Sequence, residues 1–118
     1  MFSKVIQARR LWSSMVERGN VRGVVECYSN SHIFKGTLNN HITNTEQALE
    51  EYFTRLTKKT PKILFTTSNI ENISEDTFTD TGKYTFVLKD DCLFARYIMT
   101  YKVVDGETKI ISHYSYLV

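Results

Sequence analysis

Residues 93–117 read LFARYIMTYKVVDGETKIISHYSYL, two runs of strand-forming residues on either side of Asp105-Gly106. Ile, Val, Tyr, Phe and Thr fill both runs, and an Asp-Gly step between such runs is a hairpin signal. Alternation puts Phe94, Arg96, Ile98 and Thr100 on one face of the first run. Ala95, Tyr97, Met99, Tyr101 and Val103 take the other. In the second run Ile110, Ser112, Tyr114 and Tyr116 oppose Ile111, His113, Ser115 and Leu117. Neither run has a plainly polar face, and an antiparallel sheet wetted on one side should show one. A cover other than the helices is therefore expected over the second face. A second copy of the chain is the economical candidate.

Upstream, residues 62–74 and 77–89 carry the same strand-forming composition, broken at Glu75-Asp76 and Asp90-Asp91. The four runs predict an antiparallel meander. The first half of the chain has another rhythm. Val5, Ala8, Trp12, Met15 and Val16 recur at helical spacing, predicting a helix over residues 3–18 with Gly19 as its left-handed cap. Asn20 caps a short second helix carrying Val21, Val24, Val25 and Tyr28. Residues 28–43 are irregular and polar, with a short strand expected at 32–34. Thr43 with Glu46, and Asn44 with Gln47, have capping-box spacing ahead of the face Leu49, Tyr52, Phe53, Leu56. Lys58, Lys59 and Pro61 end that helix. Helices followed by strands predict an α+β domain spanning 1–118, its N-terminal helices packed on one face of a curved antiparallel sheet.

The 118 residues, 42% hydrophobic and 24% charged, suit one folded domain. The formal net charge of +2 is too small for a nucleic-acid binder, and no apolar run is long enough to cross a bilayer. Cys27 and Cys92 are read as buried free thiols. Lys4, Arg9, Arg10 and Arg18 raise the possibility of a presequence. Deleting that segment would remove core residues, so the expected location is the cytoplasm. His32, His41 and His113 form no metal-ligand spacing, so no metal is expected. No phosphate loop or dinucleotide fingerprint occurs, so no cofactor is expected.

Four segments carry a family resemblance. They are Asn44–Thr60 (NTEQALEEYFTRLTKKT), Asp80–Phe86 (DTGKYTF), Ala95–Tyr97 (ARY) and Ser112–Ser115 (SHYS). With the order of elements they resemble the nuclear-transport-factor-2-like, or SnoaL-like, superfamily. The likeness is best to small bacterial relatives of the association domain of calcium/calmodulin-dependent protein kinase II. The resemblance implies a cystatin-like cone whose bent sheet wraps a helix, with a pocket at the wide end and dimerisation through the sheet. It implies one of three roles: a homodimeric module binding a polar or anionic organic ligand, an acid–base isomerase, dehydratase or cyclase, or a kinase-association-like assembly domain.

Within that frame Arg96, in an apolar run, is expected to be buried. It is either an anion anchor at the pocket floor or half of a structural contact, with Glu71, with Asp80 or across a dimer. His113 is a candidate acid or base, or a hydrogen-bonded interface histidine. Asp80 is a candidate base, or a turn residue at a strand start. Tyr52, Tyr84 and Tyr97 are candidate pocket walls, or plain core, as expected for Trp12 and Phe53.

Overall fold

The computed structural model describes residues 2–118. Helix α1 (Ser3–Glu17) buries Val5, Trp12 and Val16 along one stripe and ends at Gly19, whose φ of 71° is open to glycine at no steric cost. Asn20 then caps α2 (Val21–Glu26) by accepting from the Gly23 N–H. Helix α3 (Glu46–Thr57) buries Leu49, Tyr52, Phe53 and Leu56. Its cap is Thr45, which accepts from the Ala48 N–H at 3.1 Å, so neither anticipated capping box forms.

The strands are β1 (Tyr28–Lys35), β2 (Lys62–Asn72), β3 (Thr77–Val87), β4 (Cys92–Val104) and β5 (Glu107–Leu117). They form one sheet in the order β1-β5-β4-β3-β2. Strands β2 to β5 are the expected antiparallel meander. Asp105 and Gly106 both adopt positive φ, 52° and 80°, as a tight hairpin turn demands.

The sheet is nonetheless mixed. β1 is longer than the anticipated 32–34 segment and pairs in parallel with β5, joining Tyr28 to Ile110 and Phe34 to His113. Its residues Ser29–His32 find no partner on β5, because the register slips between Tyr28 and Ile33. That slip breaks the alternation by which a strand is recognised.

Two bulges shape the meander. Thr100 opposes Ser112 while Tyr101 opposes Ile110, so Ile111 is the extra residue of β5. Thr66 is the extra residue of β2. The Ile111 bulge resets parity and puts Ile110, His113 and Ser115 together on the buried face. The alternation of the sequence had Ile110 opposite the other two.

All three helices cover that face. The core runs from Trp12 through Phe34, Phe53, Tyr84 and Tyr97 to Met99 and Tyr101. The Glu17 carboxylate ties α1 to the start of β2 by accepting from the Ile63 N–H at 2.7 Å. No helix among the described residues is long and apolar enough to cross a membrane.

Candidate functional site

Two separate polar networks lie in the core. The first is centred on His113. Ser115 Oγ accepts a hydrogen bond from the Tyr84 hydroxyl at 2.6 Å, so Tyr84 accepts from His113 Nε2–H at 3.0 Å. Nδ1 is then the acceptor, and the Tyr28 hydroxyl donates to it at 2.8 Å. Tyr28 in turn accepts from the Trp12 indole N–H at 3.1 Å. Thr37 and Ser115 share the next hydroxyl–hydroxyl bond. The chain of donors runs one way, from Trp12 to Ser115, and fixes the tautomer of His113.

Burial holds the imidazole neutral, with its pKa pushed down to about 3. Burial also pushes the Tyr28 and Tyr84 hydroxyls well above their ordinary range. His113 is thus a satisfied core histidine, not an interface one, because the Ile111 bulge turns it inward.

The second network is centred on Asp80. This residue lies within β3, not at a turn, and is fully buried. Arg9 of α1 reaches it at 3.0 Å, Ser68 Oγ donates to it at 2.6 Å, and the Tyr97 hydroxyl lies 3.1 Å from both carboxylate oxygens. Arg9 also stacks on the Phe65 ring at 4.5 Å. A buried carboxylate is tolerable when paired and bonded in this way. The two candidate acid–base residues therefore belong to different networks, each occupied with its own partners.

Beside the His113 network the expected pocket is nearly filled. A cavity of about 10 Å³, bordered by Thr37, Tyr52, Tyr84, His113 and Ser115, has room for about one water molecule. Tyr52 closes it from α3. Its ring lies so near Gly36 that a methyl group there would overlap it. No Lys or Arg borders the cavity. Tyr52, Tyr84 and Tyr97 are all core residues.

Arg96 is not buried within the chain and is neither a pocket-floor anchor nor paired inside it. It is exposed on the outer face of the sheet, away from the cavity. It is directly opposite Tyr116, and pairs with neither Glu71 nor Asp80. The alternation of β4 sends Ala95, Tyr97, Met99 and Tyr101 inward, so Arg96 goes outward with its neighbours of the same parity. Those neighbours are apolar and uncovered: Phe94 is 61% exposed, Ile98 46% and Tyr116 48%. Cys27 is buried, which pushes its thiol up to about 11, but Cys92 is exposed, since it stands at the outset of β4 beside the Asp90-Asp91 break.

A groove of about 1,010 Å³ lies elsewhere, between the unpaired Ser29–His32 stretch and the β4–β5 hairpin. Its Arg22 and Lys109 are engaged by Glu46 and Glu107. Among the described residues no three His, Cys, Asp or Glu side chains gather where a metal ion could be held.

Sequence reasoning missed Arg9, Tyr28, Thr37, Ser68 and Ser115. For Arg9 the signal was present. Val5, Arg9, Trp12 and Val16 share the buried stripe of α1, so a cation in that series required an internal acid.

No family model matches the sequence, and no curated protein does. Solved structures do. A Xanthomonas campestris protein described as a calcium/calmodulin dependent protein kinase II association domain superposes with a TM-score of 0.92 at 27% identity, over 97% of this chain and 85% of that one. An NTF-2-like protein of unknown function from Shewanella oneidensis gives 0.82 at 12% identity over 96% of both chains. A Novosphingobium aromaticivorans protein described as a scytalone dehydratase gives 0.80 at 10% identity, over 98% of this chain and 82% of that one. With the α+β architecture described above, these likenesses show the nuclear-transport-factor-2-like, cystatin-like fold, and the chain is similar over most of its length to a bacterial protein described as an association domain.

Proposed function

We propose that the chain is a self-association module, a homodimer built by pairing the outer faces of two sheets. The observation that carries this reading is the uncovered apolar set Phe94, Ile98 and Tyr116 on a face that no helix reaches. The size of the face agrees. Five strands at about 4.8 Å spacing and about eleven residues at 3.3 Å each span roughly 800 Å², close to what one partner gives to a standard interface. The filled interior argues in the same direction, as does the likeness to a protein described as an association domain.

Sedimentation equilibrium tests it. The unmodified chain is expected to be a dimer at micromolar concentration. Phe94→Asp combined with Ile98→Asp is expected to weaken the dimer more than about a thousandfold, since each buried Phe or Ile is worth about 1.5–3 kcal/mol. The far-ultraviolet circular dichroism should not change. An unmodified chain that stays monomeric in every buffer, phosphate and acetate included, would overturn the proposal.

A second reading, small-molecule binding inside the cone, draws on the hydroxyl chain that reaches the cavity at Thr37 and Ser115. It requires Tyr52 to swing off Gly36. The ligand would be neutral, because no cation borders the space. Native mass spectrometry before and after denaturation decides it: a released organic mass supports the reading, and a bare protein from cell extract counts against it.

A further inference from the structure

One row of residues crosses the centre of the outer face from β2 to β5: Thr67, Lys83, Arg96, Tyr116. Lys83 and Arg96 are direct cross-strand partners, which sets their Cβ atoms about 4.5–5.5 Å apart. Like charges in that relation repel. Neither forms an ion pair. The neighbouring outward pairs, Thr85 with Phe94 and Thr81 with Ile98, supply no acid. The acids on these strands' outer face are Glu107, at the hairpin end opposite Val104 and 3.9 Å from Lys109, and Glu71, opposite Thr79. Thr79 is four residues along β3 from Lys83, or about 13 Å. Lys35 adds a third cation, its Nζ 4.4 Å from the Tyr116 ring centre.

In a lone chain, water and salt screen this repulsion. Pairing two sheet faces removes the water. A two-fold interface sets each patch against its own copy, so two Lys83 and two Arg96 enter together, with no acid in the row to meet them. Unpaired buried charge opposes association. Yet the same place has the chemistry of an oxyanion site. A depression of about 560 Å³ is bordered by Arg96, Lys83, Thr67 and Thr81, with Ile98 and Tyr116 as its apolar wall, so a guanidinium, an ammonium and two hydroxyls belong to its lining residues.

We infer that the sheet-face dimer is anion-linked: Lys83 and Arg96 of each protomer hold an oxyanion, phosphate or carboxylate, within the interface. The inference rests on the self-association reading above. The test is sedimentation equilibrium of the full chain, with millimolar phosphate or, separately, acetate replacing sodium chloride at constant ionic strength. With one anion per protomer, anion at tenfold its site constant should tighten the dimer on the order of a hundredfold. The arm that responds identifies the oxyanion preferred.

The variant Lys83→Gln with Arg96→Gln loses both the repulsion and the site. It should dimerise in chloride alone and respond to neither anion. A general salt effect on apolar burial would instead move both proteins alike. A dimer of the unmodified chain that is indifferent to both anions overturns this inference and leaves self-association standing. Monomers under every condition, for chain and variant, overturn both.

Discussion

His113 is the residue whose environment has the plainest consequence. Its imidazole would titrate near 6.5 in the unfolded chain but only near 3 in the fold, because burial disfavours the charged form. Protons therefore bind the unfolded state preferentially. The stability that the neutral ring contributes is complete above pH 6.5 and is lost as pH falls from there towards 3. At pH 5 the loss is about 2 kcal/mol. Urea titrations at pH 7 and pH 5 should show it, and His113→Asn should flatten the difference while lowering stability at both. At this scale the sequence was read unevenly. His113 and Asp80 were singled out, Asp80 as a base or a turn residue at a strand start, but their partners come from α1, β1 and three other strands, which no spacing within β3 or β5 reports. Arg96 was misplaced because an apolar run was equated with burial on both faces. Its outward parity was already visible beside Ala95 and Tyr97.

The strands were legible as elements, with their breaks, because Thr, Ile, Val, Phe and Tyr concentrate there and the turn residues interrupt them. Their faces were less so. One extra residue, Ile111, shifts the second half of β5 by one position, and strict alternation cannot register an insertion that leaves the composition unchanged. Thr66 does the same for β2. Beside that second bulge, Gly82 sits on β3 where an added methyl group would overlap the Thr67 carbonyl oxygen. The obstacle is backbone, so the strand itself must move. Gly82→Ala is expected to cost at least about 3 kcal/mol, at the upper end of overpacking penalties. Hydrogen exchange should place the damage in β2 amides before those of β4 and β5. Uniform loss of protection across the sheet would show that β2 does not yield separately.

For the molecule, helices on one face and a bare second face were both foreseeable from the order of patterns and the lack of a polar side to β4. The parallel pairing of β1 was not, since polar Ser29–Ser31 and the register slip hide it. The charge of the whole chain, +2, also conceals how it is laid out. Lys35, Lys83 and Arg96 gather on the outer face, while Arg9, Arg22 and Lys109 are matched by acids elsewhere. The pairing of β1 with β5 has a consequence for how the molecule is made. Tyr28 and His113, hydrogen-bonded in the core, are 85 residues apart in the chain. A ribosome delivers the helices and β1 long before the strand that completes them. Until β5 emerges, Trp12, Tyr28 and Phe34 lack their contacts with His113, and gaining those contacts closes nearly the full loop of the polypeptide. Folding is then expected to be slow for a chain this short and to await synthesis of the last strand, leaving the nascent first half a natural client for chaperones.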